Sequence, residues 1–465
     1  MDSGNKPDEG MISSFDLLIR GGSVVLPEVG ITSIDLGISN GRIAAHLAPG
    51  MPALGRETID VAGAVVLPGL FDPHVHLSYG APDDVFTETR SAALGGITTV
   101  NSYLRRPANF LEAVPQIQRT WGELACVDFT ISLAITEWRN IAELTRYATE
   151  LGVSSFKFFT YYYGELAHEA GAAEADDALL EALVRGVAEL PGGVVCVHAE
   201  NGALIARIQP QVKKSGRQDL AAYADARPAV AEAESISRAA FFASRAGCPL
   251  YVVHISSAEG LREARRQKAQ MPGMRLETCP QYLMLSVDSP LGIMGKVNPP
   301  LRTVADQEVL WGGLIDGTID TVGTDHIAWD RELKSGDLWK AKGSFPGSAT
   351  MLPILLSEGY HRRGLPLERI ARLTSTNAAQ VFGLYPRKGT LLVGSDADLV
   401  VCNLDEERVV DPSRLGSRAD YSPYAGLQLK GWPRTTVSRG QVVVRNGEFI
   451  GEAGHGRHTA RQIER

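Results

Sequence analysis

Between residues 67 and 385, short apolar runs alternate with helical stretches, and this alternation constrains the fold more than any other feature. The runs are LFDPHVHL, GITTVNSY, DFTISLAI, SSFKFF, VVCVHAEN, LYVVHISS, RLETCPQY and DTVGTDHI. Most are rich in Val, Ile, Leu and Phe without polar alternation, as parallel strands buried on both faces should be. Stretches between them, such as DDALLEALVRGVAEL and AEAESISRAAFFASRAG, read as helices, with Gly247 as a C-cap of the second. Eight strands, each followed by a helix, predict a (β/α)8 TIM-like barrel; a doubly wound open sheet is the competing architecture.

Both ends differ in texture. FDLLIRGGSVV, SIDLGISNGRIAAHL and ETIDVAGAVVL precede the barrel, and GTLLVGSDADLVVCNL and GQVVVRNGEFIG follow it. These are strand-like, and Asn40-Gly41 and Asn446-Gly447 are hairpin-turn signals. Each end is marginal alone, so the two are expected to pack as one small β-sandwich built from both chain ends. The predicted plan is a disordered tail over 1–12, sandwich over 13–66 and 386–450, barrel over 67–385 and a C-terminal tail over 451–465. A chain of 465 residues is long enough for such a barrel and companion.

Charge and cysteine usage narrow the partners. A net charge of −8 offers no basic footprint for nucleic acid or an anionic membrane. No apolar stretch is long enough to span a bilayer, and MDSGNKPDEG is unlike a secretory signal. The five cysteines are scattered, odd in number and without a CxxC pair. That pattern predicts free thiols in a reducing cytoplasm and argues against a thiolate zinc site.

SSFKFFTYYYG puts one lysine, Lys157, into an apolar and aromatic run. An unpaired buried ammonium is costly. Either Lys157 lies on an edge strand and snorkels to water, or it is chemically modified and serves as a ligand. Of ten histidines, His74, His76, His198 and His254 lie in or at the ends of barrel-type strands. His74 and His76, two apart, share one face of an extended strand. Asp325 occupies the corresponding place in TVGTDHIAW, where the alternative role is a helix cap. All lie at the carboxyl ends of their strands, where barrel active sites form. Buried imidazoles and a carboxylate each need a partner, and a shared cation satisfies them together. Four histidines and an aspartate are too many ligands for one tetrahedral zinc, so two metals and an anionic bridge are expected. A carbamate on Lys157, formed from carbon dioxide, supplies two oxygens and a negative charge while its stem stays in the apolar strand.

DPHVHL, FKFF, VHAEN, VVHISS and GTDH, in this order, resemble the cyclic amidohydrolases of the amidohydrolase superfamily. ETCPQYL, NPPLR, STNAAQVFGLYPRKGTLLVGSDADLVV and YAGLQLKGWP extend the resemblance from about residue 13 to near 450. It is closest to hydantoinases and dihydropyrimidinases. The resemblance implies two zinc ions per subunit, one held by His74, His76 and Asp325, the other by His198 and His254. Carboxylated Lys157 (N6-carboxylysine) and a hydroxide would bridge them. It implies Tyr162 as the substrate tyrosine and Asn298 as a site of main-chain contact with the substrate's amide.

The implied reaction is hydrolytic opening of a 5-substituted hydantoin or dihydropyrimidine to an N-carbamoyl amino acid. Asp325 would act as general base and then acid, and Tyr162 as oxyanion donor. Dihydroorotase or allantoinase activity is the alternative. Ser78 stands where dihydroorotases carry an arginine, which favours an uncharged ring, whereas Asn298 is more typical of dihydroorotases. A non-catalytic dihydropyrimidinase-related binding protein is a further reading, disfavoured because every ligand position is filled. The stretch from YSPYAG onward resembles an assembly tail, which implies a homotetramer or dimer.

Overall fold

The computed structural model describes residues 13–105, 109–170 and 174–461, so the tail expected over 1–12 lies outside the described residues. The eight apolar runs each supply one strand. These are β1 (Leu70–Val75), β2 (Ile97–Leu104), β3 (Asp128–Ala134), β4 (Ser155–Phe159), β5 (Val194–His198), β6 (Leu250–Val252), β7 (Met274–Thr278) and β8 (Thr321–Val322). They form one sheet in sequence order with every pairing parallel. A parallel bridge between Val75 and His326 closes the β1–β8 seam, and His76 N–H donates to the His326 carbonyl at 2.9 Å. The open-sheet alternative is thereby excluded. Strands β1 to β6 are buried at every residue, which explains why their sequences do not alternate.

Helices follow the strands and cover the barrel. The helix Asp177–Ala188 begins where the Asp176 carboxylate accepts from Leu179 N–H at 2.6 Å. The helix Ala229–Ala246 turns Ala231, Ala239, Ala240 and Ala243 inward and ends at Gly247, whose φ of 67° is the left-handed cap conformation.

Both chain ends build the β-rich part. Ser13–Arg20, Asp35–Ser39, Arg42–Leu47 and Ala53–Asp60 form a four-stranded sheet. In the seven-stranded sheet, Val65–Pro68 pairs antiparallel with Leu399–Val409 and parallel with Ser23–Leu26. Leu17, Ile19, Ile38, Val66, Leu399 and Val437 share one apolar core between the sheets. Asn40-Gly41 and Asn446-Gly447 both carry the positive φ that tight hairpin turns require.

A buried ionic joint ties the barrel floor to this sandwich. Lys388 Nζ lies 2.6 Å from both Asp128 and Asp398 and 3.1 Å from Asp396, and Arg439 Nε lies 3.0 Å from Asp128. The three carboxylates could hold a metal by their spacing, but the Lys388 ammonium already sits among them. The C-terminal segment, over its described part to 461, lies against the same floor. Phe129 N–H donates to Arg457 O, Thr459 N–H to Phe129 O, and Arg457 N–H to Asp128 Oδ1. All five cysteines are buried and unpaired. Among the described residues, no helix is long and apolar enough to cross a membrane.

Candidate metal centre

The residues expected to hold metal converge at the carboxyl ends of the barrel strands. His74 is in β1, His76 follows it, Lys157 is in β4, His198 ends β5, and His254 and Asp325 follow β6 and β8. Asp325 Oδ1 lies 3.3 Å from His74 Nε2 and 3.0 Å from His76 Nε2. Ligand atoms of His74, His76 and Asp325 all lie within 4.8 Å of one another. The His198 and His254 rings meet edge to face at 4.4 Å, and His254 stacks on His74 at 5.3 Å. His254 and Asp325 have φ of 42° and 52°. Non-glycine residues hold this conformation at a cost of about 1–3 kcal/mol, characteristically at functional sites.

Lys157 is fully buried, and β4 is paired on both sides, so it neither lies on an edge nor snorkels to water. Its Nζ has no hydrogen-bond partner and faces the rings of Tyr103 at 4.5 Å and Phe159 at 5.4 Å. Burial lowers its pKa to about 8. Burial likewise holds His74, His198 and His254 below the usual imidazole range, which keeps their lone pairs available. For Asp325 burial opposes ionisation, but His74, the His76 hydrogen bond and Lys157 outweigh it and hold the carboxyl at about 2.

Supporting carboxylates escaped the reading of the sequence. Glu277, fully buried in β7, accepts from His74 Nδ1 at 2.8 Å, from His254 N–H at 3.0 Å and from the Tyr251 hydroxyl at 2.7 Å. It therefore orients the ring of one candidate ligand and the backbone of another. Glu200 pairs with His198 Nε2 at 2.6 Å and with Arg227 at 2.5 Å. Asp72 crosses the β1–β8 seam, accepting from His74 N–H at 3.1 Å and from the Thr324 hydroxyl at 2.6 Å. The signal was present: RLETC and VHAEN set a carboxylate in or beside an apolar run, as FKFF sets an ammonium.

The two expected substrate contacts lie around this cluster, not within it. Tyr162 is buried, with its hydroxyl 2.5 Å from Arg105 Nη1. Tyr161 packs against both Tyr162 and the cluster, its ring 4.6 Å from Tyr162 and 4.5 Å from His198. Asn298 accepts from the Tyr223 hydroxyl at 2.5 Å and borders Gly343. The next residue, Ser344, donates to the Asp325 carbonyl at 2.7 Å.

The model of the amidohydrolase family matches residues 65–443. The chain belongs to this family. An L-hydantoinase from Paenarthrobacter aurescens is 34% identical over 96% of this amidohydrolase and 98% of the relative. An allantoinase from Deinococcus radiodurans is 37% identical over 94% of this chain and 97% of its own. The crystal structure of dihydropyrimidinase from Brevibacillus agri superposes with a TM-score of 0.89 at 32% identity, covering 96% of this chain and 98% of the other.

The donor set of this amidohydrolase suits metal ions. His76 Nδ1, His254 Nδ1 and Lys157 Nζ are buried polar atoms without a hydrogen-bond partner. Imidazoles, with those of His74, His198 and His254 held neutral, beside an ionised carboxylate are nitrogen and oxygen donors of the kind that zinc accepts.

Proposed function

We propose that this amidohydrolase opens a cyclic amide or imide ring, a 5-substituted hydantoin or dihydropyrimidine, to an N-carbamoyl amino acid. The observation that carries the reading is the partnerless Lys157 amine facing a cluster of four histidines and Asp325. His74, His76 and Asp325 would hold one zinc ion and His198 and His254 the other, with Lys157 carboxylated between them. A pKa near 8 leaves part of Lys157 as the free amine that carbon dioxide requires. When bound, the zinc pair supplies activation of water at neutral pH and polarisation of the ring carbonyl.

The chain's own groups account for proton traffic and orientation. Asp325, held ionised, takes the proton of the attacking water and delivers it to the ring nitrogen as the amide bond breaks. Burial keeps the Tyr162 phenol protonated. Arg105 donates to the Tyr162 oxygen, and the phenolic hydrogen, which Tyr161 can accept, would turn to the developing oxyanion. Such a donor contributes about 3–4 kcal/mol to the barrier reduction. The Asn298 side chain is engaged by Tyr223, so contact with the substrate amide falls to main-chain groups there.

The same centre would serve allantoin or dihydroorotate, and the pocket wall decides among them. The enzyme is proposed to act in the cytoplasm as a homotetramer or dimer, which light scattering would test. The deciding experiment reconstitutes purified protein with zinc and bicarbonate and offers 5-substituted hydantoins, dihydrouracil, allantoin and dihydroorotate in parallel. Opening of hydantoins or dihydrouracil, with one carbon dioxide found on Lys157 by mass spectrometry, is expected. A zinc-loaded protein that opens none of these rings would overturn the proposal.

A further inference from the structure

Arg105 leaves the end of β2 at the mouth of the barrel and is half-buried. Its Nη1 bonds the Tyr162 hydroxyl, while its Nε is buried without a hydrogen-bond partner. The phenols of Tyr162, Tyr161 and Tyr79 lie close enough to act on its charge. Two of these phenols locate the guanidinium relative to the centre. Tyr79 packs its ring 5.0 Å from His76, and Tyr161 packs its ring 4.5 Å from His198. Arg105 thus stands beside residues that touch both halves of the histidine cluster.

Two buried arginines elsewhere are neutralised, Arg227 by Glu200 at 2.5 Å and Arg439 by Asp128 at 3.0 Å. Among the described residues, no carboxylate pairs with Arg105. A half-buried guanidinium beside phenols, with one buried N–H left unpartnered, is incompletely satisfied, and an anion would complete it. With Nη1 committed to Tyr162, the free Nε edge is the side of the guanidinium that takes a carboxylate side-on. Ser78 offers no competing site, since its hydroxyl is engaged with Pro82 O at 3.3 Å and Trp121 Nε1 at 3.1 Å.

We infer that the ring this enzyme opens carries a carboxylate and that Arg105 binds it. The inference rests on the ring-opening reading and narrows its substrate class to acidic cyclic amides. It also limits what Ser78 implies: the charge is met from β2 and not from the stretch after His76. The carboxylate can sit on the ring itself or on a ring substituent.

Two matched pairs separate these sources: dihydroorotate against dihydrouracil, and hydantoin-5-acetate against 5-isobutylhydantoin. Each is measured as kcat/KM with zinc-loaded wild type, Arg105→Gln and Arg105→Lys. Wild type is expected to prefer the acid of one pair, and that pair reports where the carboxylate lies. Arg105→Gln should lower the acid-to-neutral ratio on the order of 10- to 100-fold, mainly through KM, as loss of a charged hydrogen bond does. Arg105→Lys should restore part of the ratio. Using a ratio cancels any effect that Arg105 exerts on both substrates through Tyr162. If neutral rings are opened as well as acidic ones, or Arg105→Gln lowers both members equally, the inference fails while ring opening stands. Should wild type open neither pair nor any other cyclic amide, the ring-opening reading fails and this inference with it. If Arg105→Gln does not fold, the wild-type preference and the Arg105→Lys ratio still decide.

Discussion

Charged side chains inside apolar strands mark this centre, and they differ in how readily the sequence discloses them. Lys157 is conspicuous because an ammonium in FKFF has no local partner. Glu277 sits as deep, and RLETC marks it as a carboxylate in an apolar run, but its partners come from β1 and β6 and its role is visible only in the fold. Replacing Glu277 with Ala frees the His74 ring and should weaken zinc affinity about 10- to 100-fold. Competition with a chelator measures this, and unchanged affinity would mean that His74 is oriented by other contacts. Glu200 makes a pH prediction. Burial would raise its pKa, but the Arg227 guanidinium overrides burial and holds the carboxyl at about 2 against an ordinary 4.5. A depressed carboxyl stabilises the fold above its unfolded value, and that contribution disappears as pH falls through the folded value. About 3 kcal/mol should therefore be lost between pH 4.5 and about 2. Urea denaturation across this range should show the slope in wild type and a shallower one in Glu200→Gln.

At the level of elements, the barrel was legible because its strands are buried on both faces and therefore read as continuous apolar runs. The two hairpins were legible because Asn-Gly supplies the positive φ that their turns need. The floor joint was not, because Asp128, Lys388 and Asp398 are joined only by tertiary folding and each looks like an ordinary loop or strand-end charge in sequence. Changing Lys388 to Met leaves Asp128, Asp396 and Asp398 buried without their shared ammonium. The expected cost is about 3–5 kcal/mol, the range found when one partner of a buried ion pair is removed. Thermal unfolding would reveal it, whereas an unchanged midpoint would show that Arg439 alone holds the joint.

Across the whole molecule, the two ends meet in the sandwich, and the C-terminal end continues onto the barrel floor. Residues 451–461 supply or accept hydrogen bonds at Asp128 and Phe129. At about 1 kcal/mol each, these three bonds alone predict a loss of at least about 3 kcal/mol when the segment from 451 onward is deleted. Calorimetry of the truncated enzyme checks this, and a midpoint equal to that of the full chain would contradict it. The pairing of Val65–Pro68 with Leu399–Val409 has a further consequence, for biosynthesis. A ribosome releases the first strand long before the second, a wait of roughly 15–65 s at about 5–20 residues per second. Throughout that interval the nascent chain carries an apolar β-edge whose cognate strand has not been translated. Recovery of soluble enzyme should therefore depend on translation speed and chaperone supply, even though the finished protein has no such edge at this position.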